Sequence, residues 1–474
     1  MNKINNLLQI LFGCVFLIYF NKTAKAQIIP DNTLGAETSR LTPNVLINST
    51  NADRIDGGAQ RGINLFHSFS EFNIDDGQRV YFGNPSLVKN IFSRITGNSA
   101  SNIFGTLGVD GNANLFLINP NGILFGENSS LDVGGSFVGT TANQVGFGEQ
   151  GVFSASNPEV PGLLTVSPDA LFFNRVNRNA EIKNSSTAAA GADPAGFLAS
   201  GLRVPDGKSL LLVGGNVSLE GGILNALGGR VELGGLAEAG TVGLDIDGNN
   251  FQLKFPENVT RGDVSLTNQS RVFVEAAGGG DITFNARNID ILDRSFIVGG
   301  IAQGLGTSET VAGDINLNAT GEITFTDESG ILNYVRQDSQ GNLGQTNINT
   351  GILKLINEAE INASNFAIGN GADVNITAKD AVILDNSEIS AEVDSIFTDS
   401  TSTGNAGNIN INTKLLQISN SSRFLARNTG IGNPGNIDIN AESVALDTSN
   451  INAGVIFGNA GNVILKASGS VSLD

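Results

Sequence analysis

Histidine occurs once in this chain, as His67, and cysteine once, as Cys14. With so few soft or nitrogen ligands we expect no His-based metal centre and no Ser-His-Asp arrangement, and we read His67, set among Phe66, Phe69 and Phe72, as a packed side chain. Acid–base work on a polysaccharide would need clustered carboxylates beside a basic partner. Acidic pairs exist, Asp75 with Asp76 and Glu358 with Glu360, but in turn or alternating-strand contexts without Lys or Arg at matching positions of adjacent units. They read as solvated surface. Tryptophan is absent, and only Tyr81 and Tyr334 stand beyond the first 26 residues, so flat stacking platforms for sugars are scarce. Calcium would ask for the nonapeptide Gly-Gly-x-Gly-x-Asp rhythm, whereas the corners "GNAGN" at Gly404–Asn408 and Gly458–Asn462 lack its Asp. Stacked Asn side chains explain these corners without a metal, and no cofactor is expected.

The elements that would carry any site are strands. From about Gly262 one phrase recurs, a small residue, then Asp or Asn, then alternating apolar and polar positions: "GDVSL" at Gly262, "GDITF" at Gly280, "GDINL" at Gly313, "ADVNI" at Ala372, "GNINI" at Gly407, "GNIDI" at Gly435 and "GNVIL" at Gly461. Period-two alternation gives a strand with one buried face, and the leading pair turns the chain into it. Two more short strands follow in most units, as in Ser443–Gly454 and Ala381–Glu392, and a degenerate unit is read at Thr346–Ser364. Three strands per unit, with loops of uneven length, predict a three-sided parallel β-helix. A propeller needs blades of nearly constant length, and a sandwich would show hairpin turns. One coil cannot bury enough apolar surface to hold itself, so coils must stack and share their cores.

Before about Phe255 the phrase is missing and the strands are longer and richer in Phe, as in Ile63–Ile74, Arg79–Gly83 and Ser130–Phe147. Alternation along "LFHSFSEF" places Phe66, Ser68, Ser70 and Phe72 on one face, a stacked set suited to closing the first coil as a cap. The most sharply specified corner is Asn119-Pro120-Asn121-Gly122, followed by Ile123. Pro120 fixes its φ, Asn119 and Asn121 can bond the backbone of the bend, and Gly122 can take positive φ.

Forty per cent of the 474 residues are hydrophobic, 15% are charged and 60 are glycine, a composition too apolar for disorder and too Gly-rich for a helical protein. Lys3, the apolar run Leu7–Phe20 and the small residues Ala24 and Ala26 form a secretory signal over residues 1–26, with cleavage leaving Gln27 first. The run is too short to span a membrane, and no spanning segment is expected in the mature chain. Losing the leader takes the formal charge from −19 to −22 and removes Cys14, leaving no disulfide; nucleic acid and anionic lipid are repelled. The sequence stops at Ser470–Asp474 in mid-unit, which reads as the front part of something longer.

The run "NLFLINPNGILFG", with "NLFHSFSEFNI" and "VYFGNPSLVKNIFSRITG" before it and "SLDVGGSFVGTTAN" after it, resembles the secretion domain of filamentous haemagglutinin-type exoproteins, the passengers of two-partner secretion in Gram-negative bacteria. The likeness extends through Gly201–Gly222 and Gly229–Leu244. It implies a right-handed parallel β-helix with an N-terminal cap, recognised by the periplasmic domains of an outer-membrane transporter. It also implies a turn important for export at Asn119, Pro120, Asn121, Gly122 and Ile123, with a weaker counterpart at Asn84, Pro85, Ser86 and Leu87, where Ser replaces the family's second Asn. The expected organisation is a signal peptide at 1–26, a secretion domain at 27–255 and β-helical repeats at 256–474. The expected product is a non-enzymatic protein, exported through periplasm and outer membrane to serve as the shaft of a surface adhesin. A β-helical polysaccharide lyase or hydrolase is the alternative.

Overall fold

The computed structural model describes residues 27–174, 180–395, 402–456 and 458–473; the leader, with Ala24 and Ala26, lies outside them. Every named element is a β-strand. Strands on the first face run from Asn64–Phe72, through Asn90–Ile95, Asn114–Ile118 and Phe137–Thr140, to Val463–Ala467, all paired in parallel. The second face climbs from Ser101–Ile103 through Ile123–Phe125 and Glu181–Asn184 to Val471–Leu473. The third begins with Arg79–Gly83, Thr106–Asp110 and Ser130–Asp132 and continues from Leu202–Arg203 to Asn450–Asn452. The chain visits the faces in rotation, which is a three-sided parallel β-helix, right-handed as crossovers between parallel strands almost always are.

Register explains why one core runs the length of the molecule. Leu212, Leu233, Phe284, Leu317, Ile348, Ile376, Ile411, Ile439 and Leu465 stand directly above one another, so like packs on like in every coil. A single buried cluster extends from Ile55 to Ala453. The degenerate unit at Thr346–Ser364 is a true coil. In it and the next two coils the first two strands merge into long ones, Thr346–Ile356, Val374–Asp385 and Ile409–Ser419, which turn the corner at a register break.

One phrase sits elsewhere than its spacing predicts. "GDVSL" at Gly262 opens Val264–Thr267, which pairs with Asn216–Glu220 and Ile289–Ile291 on the second face, whereas the other phrases open first-face strands. The chain leaves the coil after Arg230–Gly235, makes the hairpin Gly240–Asp247/Asn250–Lys254 and re-enters one face later.

The first coil is closed by antiparallel pairs and one parallel addition. Ile28–Pro30 and Ala59–Arg61 flank Asn64–Phe72, and the hairpin Ser39–Ile47/Thr50–Gly57 adds to the edge of Arg79–Gly83. Open edges that would template aggregation are thereby covered. The four-residue Phe66–Phe72 face is not formed. An irregularity at Ser70 (Glu71 opposes Ile29 and Phe69 opposes Pro30) shifts the alternation, so Phe72 joins Leu65 and Phe69 in the main core while Phe66 points outward.

Phe66 is nevertheless buried, because a second layer covers it. Gln144–Gly146, Val152–Ser154 and Ala170–Phe173 join Gly240–Asp247 and Asn250–Lys254 in a five-stranded antiparallel sheet outside the first face. Beneath it Phe66, Phe92 and Phe116 stack with ring centroids 5.2 and 4.5 Å apart, and Phe251 closes the column 6.0 Å from Phe116.

Candidate functional site

The corner after Asn114–Ile118 is built from the coil below it. Asn119 is fully buried. Its Nδ2 donates to Ser99 O and Ser101 Oγ, each at 3.0 Å, and its Oδ1 accepts from the Asn121 backbone N at 3.0 Å. Asn121 Nδ2 donates to Gly97 O at 2.9 Å, and Gly122 N closes the turn onto Asn119 O at 3.1 Å. Gly122 has φ +117°, and a Cβ there would press on Glu181 O at 3.0 Å. Both Asn side chains therefore staple the corner to the preceding one, and Asn119 presents nothing to solvent. Ile123 starts the next strand, in register with Ser101 below and Ile182 above.

The weaker corner differs in kind. Asn84 Nδ2 donates to Pro85 O at 3.2 Å and Val88 O at 3.1 Å, while its Oδ1 accepts from Asn112 N and Ala113 N in the next coil at 2.9 and 3.1 Å. Leu87 is 82% exposed at φ +75°, a backbone region leucine seldom adopts. This corner turns a large apolar side chain to water, whereas at the Asn119 corner Pro120 is half-buried and Ile123 buried.

His67 is wholly buried in the cap, as its Phe-rich context implies. Its Nδ1 meets Ser39 Oγ at 3.0 Å, its Nε2 has no partner, and its ring lies 5.2 Å from that of Phe82. Burial drives its pKa down to about 3 against a weaker upward pull from Asp56, so the ring is neutral at ordinary pH.

Arg94 escaped sequence reasoning. It sits outward on the first face in "NIFSRI", and a lone cation beside Ile91, Phe92 and Ile95 was the signal available. It donates to Ser68 Oγ at 2.9 Å, Thr33 Oγ1 at 2.8 Å, and Ser154 O and Glu159 O at 2.9 Å each, with its guanidinium 4.4 Å from the Phe153 ring. One side chain thus ties cap, first face and outer layer together. Burial lowers its pKa to about 10, with Asp31 opposing. Glu232, fully buried where the outer layer meets the helix, accepts from Leu253 N at 2.9 Å and Arg230 at 3.0 Å; burial outweighs both and raises its pKa to about 7.

Asp75 and Asp76 precede the turn into Arg79–Gly83. Glu358 occupies a left-handed corner at φ +64°. Glu360 lies between Gly330 and Glu388, and burial, helped by Glu388, raises its pKa. The arginine of that column, Arg423, is paired with Glu388 at 2.6 Å. Among the described residues no three His, Cys, Asp or Glu side chains are grouped to hold a metal ion.

The family described as TPS secretion domain matches residues 26–284, more than half of the 474. The chain belongs to that family. It is therefore a two-partner secretion exoprotein, and the partner this family implies is an outer-membrane transporter. Among solved structures, the HMW1 secretion domain from Haemophilus influenzae is 16% identical, with a TM-score of 0.43, over 94% of this chain and 100% of that one. The filamentous hemagglutinin secretion domain is 14% identical, with a TM-score of 0.33, over 68% and 97%. No curated protein matches the chain. Among the described residues no helix is long and apolar enough to cross a membrane.

Proposed function

We propose that the capped TPS coils are the export address read by the periplasmic domains of the transporter, and that the remaining coils form the shaft of a non-enzymatic adhesin displayed at the cell surface or released. The family match over residues 26–284 carries this reading. A boundary near residue 255 is kept as a functional division only, because strand pairing runs past it from Arg230–Gly235 to Asp281–Ala286.

The corner Asn119 to Ile123 acts in this reading by fixing the shape of the export face. Its buried Asn119 supports a structural contribution to recognition, and the open Leu87 corner one coil earlier supplies a side chain the transporter can touch.

The test is binding of residues 27–284 to the transporter's periplasmic domains, together with secretion of the full chain carrying Asn119→Ala and Asn121→Ala. Binding and a drop in secreted protein are expected. Normal secretion of that variant removes the corner's role, and absence of binding removes the address. The polysaccharide-active alternative draws no support from the acidic pairs, and depolymerisation of an acidic polysaccharide by the purified chain would restore it.

A further inference from the structure

The first face beyond the matched family region carries an ordered amide array. In coil after coil, outward positions on its strands are filled by Asn. One row runs Asn316, Asn347, Asn375, Asn410 and Asp438; a second, two residues along, runs Asn318, Asn349, Thr377, Asn412 and Asn440. The rows are half-exposed to exposed, and among the described residues no layer covers them like the one over Phe92 and Phe116.

Within a row each amide is already oriented. Asn347 Nδ2 donates to Asn316 Oδ1 at 3.0 Å, Asn375 to Asn347 at 3.0 Å and Asn410 to Asn375 at 2.8 Å; Asn349 to Asn318 and Asn440 to Asn412 are 3.1 Å each. Asn375 spends its second N–H on Gln345 Oε1 at 3.2 Å; the other donors of these pairs keep a second N–H, and each Oδ1 a second lone pair, for the solvent side. The result is a flat grid of donors and acceptors, spaced about 4.8 Å from coil to coil and about 6.6 Å along the strand. Its side-chain freedom is given up on folding, so little is left to lose on binding.

We infer that this grid is a docking surface for a neutral polysaccharide lying against the first face. Sugar hydroxyls supply donor and acceptor together, as the amides do. Among the ten positions only Asp438 is charged, on a chain whose formal charge is −19, so a neutral polymer can approach where an anionic one, or a second copy of the same acidic chain, is repelled. The array holds no aromatic ring, so attachment comes from many weak contacts in series and grows steeply with polymer length.

This inference deepens the adhesin reading and rests on it only for where attachment would matter. Binding is measured on the purified full chain, so failure of the export reading leaves it standing. The probes are insoluble β-glucan and chitin in sedimentation assays, soluble neutral β-glucans of graded length in calorimetry, and an acidic polysaccharide. Expected are retention on a neutral polymer, affinity at least tenfold lower for a trisaccharide, and a further tenfold loss in Thr377→Glu/Asn412→Glu. Gln417→Glu, exposed on the second face, should bind as the parent does. If the double variant does not fold, Asn349→Lys replaces it. No retention on any neutral polymer, equal binding by the array variants, or preference for the acidic polymer overturns the inference. Self-association abolished by the same substitutions would also overturn it, by assigning the face to a second copy.

Discussion

Asn119 and Asn121 lock one corner from both sides of Pro120: Asn119 Oδ1 receives the Asn121 backbone N, while the Asn121 amide reaches across to Gly97 O in the coil below. Because Asn119 and Ser101 are both fully buried, removing the Asn119 amide leaves Ser101 Oγ without this partner in the interior. Asn119→Ala should cost about 2–3 kcal/mol locally. Asn121→Ala, at a half-buried position, should cost about 1 kcal/mol. Hydrogen exchange at the amides of Ser101–Ile103 and Ile123–Phe125 measures both, and equal effects would contradict the burial difference.

Arg94 should be harder to replace than a surface cation. Arg94→Met keeps the apolar stem and leaves four acceptors without their donor. A loss of roughly 3–5 kcal/mol is expected, comparable to breaking a buried charged pair. Arg94→Lys cannot span the same acceptors and should recover less than half of it. Limited proteolysis reads the outcome, because the outer segment around Leu163, 77% exposed, should be cut first.

His67 gives the cap an acid limit. Its pKa falls from 6.5 in the unfolded chain to about 3 when folded, so the unfolded state binds the extra proton. The stabilisation from the buried neutral ring is complete above pH 6.5 and is lost as pH falls toward 3. Denaturation of the cap followed across that range should flatten in His67→Gln, and an unchanged pH slope would show that other groups dominate.

Glu232 works in the opposite sense. Its pKa rises from 4.5 to about 7 on folding, so its contribution is complete below pH 4.5 and is lost as pH climbs through 7. Glu232→Gln keeps an acceptor for Leu253 N and removes the buried charge. It should therefore raise stability at pH 8, by up to about 3 kcal/mol, and leave pH 4 nearly unaffected. Urea titrations at the two pH values separate these outcomes.

Gly404 tests the stacking of corners. A Cβ there would overlap the Gly369 carbonyl directly beneath, and the residue sits at φ +133°. Gly404→Ala should separate the two coils and cost more than about 4 kcal/mol, in the range reserved for core disruption. Protease nicking between Gly369 and Gly435 would report it.

The helix could be read from residue types because its strands alternate strictly and its corners repeat Asp, Asn and Gly in register. The Asn side chains stack as that reading required: Asn370, Asn405 and Asn433 each bond the corner before. What escaped notice was whatever depends on an insertion. The hairpins at 144–173 and 240–254 alternate just as coil strands do, so nothing local marks them as an outer layer. The one at 240–254 moves the Gly262 phrase to another face. The bulge at Ser70 puts Phe72 on the opposite side from Phe66, and a one-residue slip leaves no compositional trace. At the corner, Asn119 was legible as turn chemistry, but its burial depends on Ser99 and Ser101, which only the preceding coil supplies.

The aromatic column under the outer sheet also imposes a schedule. Phe66, Phe92 and Phe116 belong to the earliest coils, yet the ring that closes them off, Phe251, stands 135 positions after the last of the three. Phe147 and Phe153 pack on Phe66 and Phe92 from nearer in sequence, so it is the Phe116 end of the column that waits for this distant hairpin. Completing the column is therefore a long-range event, which ties the folding of the earliest coils to a segment far along the chain.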